Sequence, residues 1–291
     1  MEQGETRIKI AIQKSGRLTS DSLDLLRACG LELDGQKQTL YTPCRNFPLD
    51  LLALRDDDIP QYVHDGVADL GIVGENTVLE KGLRVERVLD LGFGVCRLMI
   101  CLPQHSEVRT LRDLEGRRLA TTYPTITGRF LEAEGIRCEV VRLSGAVEIA
   151  PMLDIADAIC DLVSTGTTAR VNGLYPAFTV LTSQARLIAS EGLLADPAKR
   201  QLFERLMIRI QGSLEARGRR YLMMNAPCDA VDELRAIIPA LKSPTVVPLA
   251  EEGMVAVHSV IAEDAFWDVM EKLKGVGASD IVVVPIEAII R

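Results

Sequence analysis

The chain has little histidine, no paired-cysteine motif and no surplus of positive charge, and each shortage removes a class of function. Its three histidines, His64, His105 and His258, fall in separate segments, and none stands beside a serine or cysteine in a catalytic spacing. The seven cysteines (29, 44, 96, 101, 138, 160 and 228) are odd in number, scattered and without a C-x-x-C. That argues against a zinc cluster and for reduced thiols, hence a cytoplasmic protein. Cys160 reads as a small buried apolar residue rather than a nucleophile. No apolar stretch reaches the ~18 residues of a membrane span, and the polar start, broken again at Gln13-Lys14, does not read as a leader. With 33 Lys+Arg against 41 Asp+Glu, the net charge is −8. A general binder of nucleic acid or of anionic membranes needs a basic face, so neither partner is expected. There is no Walker sequence and no G-x-S-x-G, and Gly71 and Gly74 do not form a dinucleotide fingerprint.

What is present is an ordinary globular composition, 47% hydrophobic and 25% charged, in 291 residues. That length suggests about two domains. The acidity is uneven. Residues 221–291 hold 11 acidic and 5 basic side chains, whereas the first 220 are nearly neutral.

Short apolar runs alternate with helical periodicity, the pattern of a parallel α/β protein. Arg7–Ile12 reads as a strand, Gln13-Lys14-Ser15-Gly16-Arg17 as a loop, and a helix capped by Thr19 or Ser20 runs toward Gly30. Leu49–Leu54 is a strand, Ile59–Gly66 a short helix, and Ala68–Gly74 a strand ending in a glycine turn. The same order returns in strand Arg118–Thr122, helix Thr127–Gly135, strand Cys138–Leu143, short helix Val147–Leu153 and a strand from Ala156-Asp157 into Ser164. Two lobes of matching order imply a pseudo-duplicated fold. Arg97–Leu102 and Ala185–Ser190 are candidate crossing strands, and a helix from Pro197 to Ala216 would return to the first lobe. A ligand cleft between the lobes follows. The expected division is 1–97 plus 186–220 for the first lobe, 98–185 for the second, and 221–291 for a separate unit. That last unit reads β (Tyr221–Ala226), α (Ala230–Leu241), β (Thr245–Leu249), β (Met254–Ile261), α (Asp264–Val276), β (Asp280–Ile286), the ferredoxin-like βαββαβ pattern.

Three motifs carry chemistry. In Asp157-Ala-Ile-Cys-Asp161-Leu-Val-Ser164-Thr165-Gly166-Thr167-Thr168, four hydroxyls and a glycine follow a strand. Backbone N–H groups and hydroxyls there can cradle a phosphate. Asp157 and Asp161, four apart on an extended segment, share a face and suit ribose hydroxyls or a magnesium-bound species. The same residues read equally as a Ser/Thr-rich helix cap. Lys14-Ser15-Gly16-Arg17 offers two cations at a strand exit for a pyrophosphate or triphosphate, or is simply a solvated basic loop. Asp56-Asp57-Asp58 before Ile59-Pro60 is read as helix capping rather than a metal site, and Gly71 and Gly74 as points of close backbone approach.

These segments, taken in order (Gln13–Leu18, Arg55–Pro60, Asp69–Asn76 and Asp157–Thr168), resemble the ATP phosphoribosyltransferases across nearly the whole chain. The resemblance implies two periplasmic-binding-protein-like (type II) lobes and, in residues 221–291, the ACT-like regulatory domain of the family's long form. It implies transfer of phosphoribosyl from phosphoribosyl pyrophosphate to N1 of ATP, the first step of histidine biosynthesis, with Mg2+ held largely by the substrate's own pyrophosphate. Asp157, Asp161 and Lys14 would be catalytic. Ser164, Thr165, Gly166, Thr167 and Thr168 would hold the 5′-phosphate, with Glu148, Arg17, Asp69, Gly71 and Tyr123 bordering the substrates. Histidine would inhibit through Asn225, Thr245 and Ser279, and the protein would form homo-oligomers, dimers converting to hexamers. Two other readings share the two-lobe pattern: a non-catalytic small-molecule binder, and prephenate dehydratase, whose Thr-Arg-Phe is broken here as Thr127-Gly128-Arg129-Phe130.

Overall fold

The computed structural model describes residues 5–33, 39–238 and 243–291. The first lobe contains β1 (Ile8–Gln13), α1 (Thr19–Ala28), β2 (Tyr41–Pro43), β3 (Leu49–Leu54), α2 (Ile59–His64), β4 (Leu70–Gly74), α3 (Glu75–Lys81) and β5 (Glu86–Asp90). The second contains β6 (Cys96–Pro103), β7 (Arg118–Thr121), α4 (Pro124–Ala133), β8 (Glu139–Arg142), β9 (Ala158–Val163), α5 (Thr167–Val171) and β10 (Leu174–Ser183). The chain then returns through β11 (Ala185–Ala189), α6 (Glu191–Ala195) and α7 (Pro197–Ala216).

The two sheets run β2-β3-β1-β4-β11-β5 and β10-β6-β9-β7-β8. In each, three parallel strands meet one antiparallel crossing strand: β3, β1, β4 with β11, and β8, β7, β9 with β6. The pseudo-duplication is therefore one of topology. Strand β6 shows how both faces are covered. Leu98, Ile100 and Leu102 enter one apolar cluster with Leu119, Ile126 and Leu131, while Met99 and Cys101 enter another with Ala120, Ile159 and Val163. The strand Leu174–Ser183 was not anticipated from sequence. Its half-buried, proline-containing pattern and two register shifts against β6 mask the alternation. Val147–Ile149 forms only a 3-10 turn instead of the helix expected to Leu153.

Two compact units emerge, one of Leu31–Glu204 with the residues up to Arg27, the other of Ala28–Gly30 with Arg205–Arg291. In the first, Lys199 at the start of α7 binds Asp69 of the first lobe at 2.7 Å. The second unit holds β12 (Arg219–Pro227), α8 (Val231–Ile237), β13 (Thr245–Pro248), β14 (Met254–Ala262), α9 (Phe266–Gly275) and β15 (Ser279–Pro285). Residues 239–241, the end of the helix expected there, lie outside the described residues. The sheet order β13-β14-β12-β15, antiparallel throughout, is the ferredoxin-like arrangement. Leu222, Met224, Val255 and Val257 pack against Leu234, Val269 and Leu273 of the two helices.

Candidate active site

Parallel strands send their C-terminal ends, and the loops that follow, to one edge of each sheet. In the second lobe that edge carries the Ser/Thr loop. A cavity of about 250 Å³ is lined by Glu148, Asp161 and Ser164–Thr168, with Cys101 and Ile159 at its base. Ser164, Thr165, Thr167 and Thr168 are exposed at its rim. Gly166 takes a left-handed φ of +76° and turns the chain into the five-residue helix α5 without any side-chain cap. The loop is thus not spent on capping. Arg170 donates to the Thr165 carbonyl at 3.0 Å and braces it. This cation was missed from sequence because it follows the hydroxyls, inside the helix.

Asp161 accepts the Leu162 N–H at 2.8 Å, while burial and the neighbouring Glu148 carboxylate raise its pKa. Burial likewise pushes the Cys160 and Cys101 thiols up to about 12, so neither is a ready thiolate.

The first lobe carries the remaining candidates. Lys14 and Arg17 are exposed on the loop after β1. The turn requires Gly16: a Cβ there would lie 2.4 Å from Gln13 Nε2, whose Oε1 accepts the Leu18 N–H. The expected capping role of the aspartates does not hold, since α2 starts at Asp58 without a side-chain cap. Asp56 instead accepts the Thr77 hydroxyl at 2.7 Å, and its other oxygen is buried without a protein partner. Burial raises its pKa against the pull of Thr77 and of the Arg17 charge. Tyr123, after β7, joins the walls. Burial and the carboxylates of Asp161, Asp56 and Asp57 drive its pKa upward, so the hydroxyl stays protonated. It accepts from Asn76 Nδ2 at 3.3 Å, which leaves its own proton free to be donated.

Three expected site residues are placed elsewhere. Asp157 precedes β9, at the opposite end of the strand from Ser164. Its carboxylate accepts the Arg118 N–H at 2.8 Å and Arg118 Nη2 at 3.2 Å. It lines a different cavity, with His105 and Arg117. Asp69 repeats the arrangement in the first lobe, accepting the Lys9 N–H at 2.8 Å and Lys199. Sharing a face with Asp161 does not help Asp157, because four residues of strand span roughly 13 Å. Gly71 sits inside the core: a Cβ there would lie 2.7 Å from Ile59 and 3.0 Å from Val63, so it admits α2 against the sheet and not a substrate.

In the ferredoxin-like unit, Asn225 and Ser279 converge on Asp280, donating to its Oδ2 at 3.1 and 3.3 Å. Thr245 lies on the opposite edge strand.

Residues 55–212 match the family model described as ATP phosphoribosyltransferase, and residues 216–288 match that described as the HisG C-terminal domain. An ATP phosphoribosyltransferase from Cytophaga hutchinsonii is 45% identical over 286 residues, covering 98% of this chain and 99% of that protein. The chain belongs to the ATP phosphoribosyltransferase family. It has the family's long form, with the C-terminal domain present. Among solved structures, the ATP phosphoribosyl transferase (HisG:HisZ) complex from Thermotoga maritima matches with a TM-score of 0.61 at 24% identity. That match covers 70% of this chain and 96% of the other, and it supports the two-lobe fold. Membership in the ATP phosphoribosyltransferase family sets aside both the non-catalytic binder and prephenate dehydratase.

Proposed function

We propose that the cleft catalyses phosphoribosyl transfer from phosphoribosyl pyrophosphate to N1 of ATP, releasing phosphoribosyl-ATP and pyrophosphate. The observation that carries the reading is the cavity that joins an uncapped Ser164–Thr168 loop to a half-buried carboxylate, Asp161. The loop's N–H groups and hydroxyls would hold the 5′-phosphate. Asp161, with Glu148, would take the ribose hydroxyls and stabilise positive charge growing at C1 as the C1–O bond to pyrophosphate breaks. Pyrophosphate leaves with the bonding pair, and the adenine N1 lone pair forms the new C1–N bond. That nitrogen needs no proton removed, which suits a site without a histidine–serine or histidine–cysteine pair. Lys14 and Arg17 would meet the polyphosphates, and Tyr123 would donate to an anionic oxygen.

Magnesium would arrive on pyrophosphate and neutralise its charge as it leaves. The donor set fits that role. Asp56 offers an unpartnered oxygen, yet no group of three ligating side chains forms a cage among the described residues.

We also divide the chain as residues 1–97 plus 186–220, residues 98–185, and an ACT-like regulatory unit of residues 221–291. Histidine would act through Asn225, Ser279 and Thr245. Val282 and Val284 stand exposed on the sheet face away from the helices, which supports homo-oligomerisation through this unit. No described helix is long and apolar enough to cross a membrane, in keeping with a cytoplasmic enzyme. The test is absorbance growth on mixing protein, ATP, phosphoribosyl pyrophosphate and magnesium. Product formation is expected; no product and no binding of phosphoribosyl pyrophosphate would overturn the reading.

A further inference from the structure

Helix α3 leaves the first lobe's sheet at Gly74 but spends one face on the second lobe. Asn76 and Glu80, four apart, project a turn from each other on that face. Both grip the same short stretch. Asn76 Nδ2 donates to the Tyr123 hydroxyl at 3.3 Å. Glu80 Oε1 and Oε2 accept the N–H groups of Thr125 and Ile126 at 2.9 and 3.0 Å. Those two donors open α4 and have no acceptor within it, and their helix end favours a negative charge. Leu79, beside Glu80, packs against the second lobe's apolar cluster.

Asn76 is itself fixed. It is 2% exposed, its Oδ1 accepts the Ser183 hydroxyl at 2.8 Å, and its N–H donates to that hydroxyl at 3.1 Å. Next to it, Glu75 donates its N–H to the Gln184 carbonyl at 3.0 Å, at the junction between β10 and β11. Thr77, the following residue, holds Asp56. One helix therefore ties the first-lobe carboxylate to the second-lobe tyrosine. The covalent links between the two sheets are only the segment 91–95 and Gln184. The spacing of Asp56 from Asp161 consequently depends on non-covalent contacts, and α3 supplies them.

We propose that α3 is a latch between the lobes, with Asn76 and Glu80 as positioning residues that set the width of the substrate cleft. The inference rests on the phosphoribosyl-transfer reading for its kinetic consequence only. Neither residue lines the cavity beside the Ser164–Thr168 loop. Releasing the latch lowers the fraction of molecules already closed, and apparent affinity falls by that fraction, while saturating substrate draws the lobes together again.

The experiment compares Glu80→Ala and the nearly isosteric Glu80→Gln with the unaltered chain. Glu80→Ala raises the KM for phosphoribosyl pyrophosphate about tenfold, as a closed fraction of roughly one in ten would, and lowers kcat by less. Glu80→Gln gives a smaller rise, since its amide keeps one acceptor oxygen. Amide exchange accelerates in the same order at Thr125 and Ile126, and also at Glu75 and Asn76 on the lobe junction. If Glu80→Ala fails to fold, Glu80→Gln decides. Unchanged KM, or a fall in kcat at constant KM, overturns the latch. So does faster exchange confined to Thr125 and Ile126, the mark of a local cap. If the unaltered protein makes no phosphoribosyl-ATP, the transfer reading fails, and exchange at Glu75 and Asn76 alone decides the latch.

Discussion

The Asp157 carboxylate and the Arg118 backbone form a reciprocal clamp: Asp157 accepts the Arg118 N–H at 2.8 Å, and its own N–H donates to the Arg118 carbonyl at 2.9 Å. Asp69 and Lys9 make the same two bonds at 2.8 and 2.9 Å. The Ala-Asp signature that marks both halves of the sequence is therefore a strand-pairing device, duplicated with the fold and outside the lining of the Ser164–Thr168 cavity.

Asp157→Asn consequently lowers stability while phosphoribosyl transfer survives. The Arg118 N–H and guanidinium hold the Asp157 carboxyl below its ordinary pKa. A depressed carboxyl contributes stability that is present above the unfolded value, ~3.9, and lost as pH falls through the folded value. Thermal denaturation should show Asp157→Asn melting below the unaltered protein at pH 7, with the gap closing below about pH 4. A gap that persists there would mean packing, not ionisation, is at stake.

Asp161→Asn has the opposite signature. Burial raises the pKa of Asp161, so its contribution to folding is present below the unfolded pKa and lost as pH rises through the folded one. Asparagine can still accept the Leu162 N–H and removes the half-buried charge. The variant should be at least as stable at pH 7, yet lose activity by about 100-fold or more, the usual scale for removing an electrostatic stabiliser. Initial rates at saturating substrates, beside a melting curve, separate this residue from Asp157.

The contrast between these aspartates also marks how far the sequence could be read. The repeated parallel strands of the two lobes, the loop after β9 and the ferredoxin-like tail were legible because period and turn chemistry are local signals. Asp157, Asp69 and Gly71 misled because a sequence motif does not say which end of a strand a residue occupies, nor which neighbour fills the space beside it. Asp56 read as a helix cap, and neither Asn76 nor Glu80 suggested the contacts it makes. Their roles depend on partners 21 to 47 positions away, on Thr77, Tyr123, Thr125 and Ile126. Thr77 reaches Asp56 only once the first lobe has folded, and Tyr123, Thr125 and Ile126 reach α3 only when the two lobes come together.

Lys199→Met tests the clamp of the first lobe. Lys199 is about a third exposed (32%), but its partner Asp69 is only 4% exposed and keeps just the Lys9 N–H once the lysine is gone. Stranding that carboxylate should cost ~2–3 kcal/mol, less than breaking a fully buried pair because water reaches the lysine side. Adding Asp69→Asn should restore part of the loss in urea denaturation. A double variant no more stable than Lys199→Met would locate the loss in the packing of the lysine stem.

In the tail, Asn225 and Ser279 share Asp280 as acceptor, whereas Thr245 lies on β13, two strand spacings from β12. That separation is ~10 Å, within the span of one histidine hydrogen-bonded at both ends. If histidine inhibits through this unit, Asn225→Ala and Ser279→Ala should weaken inhibition non-additively, since they hold one acceptor between them. Thr245 can therefore join the same ligand within one chain or from a second copy, and dilution tells the two apart. Thr245→Ala should weaken inhibition, and where a second copy supplies Thr245, inhibition should also fade as the unaltered protein is diluted into its smallest form. Dose–response curves across protein concentrations check this. Inhibition independent of dilution, with Thr245→Ala still impaired, would place Thr245 with Asn225 in one chain; Thr245→Ala without effect would remove it from the site.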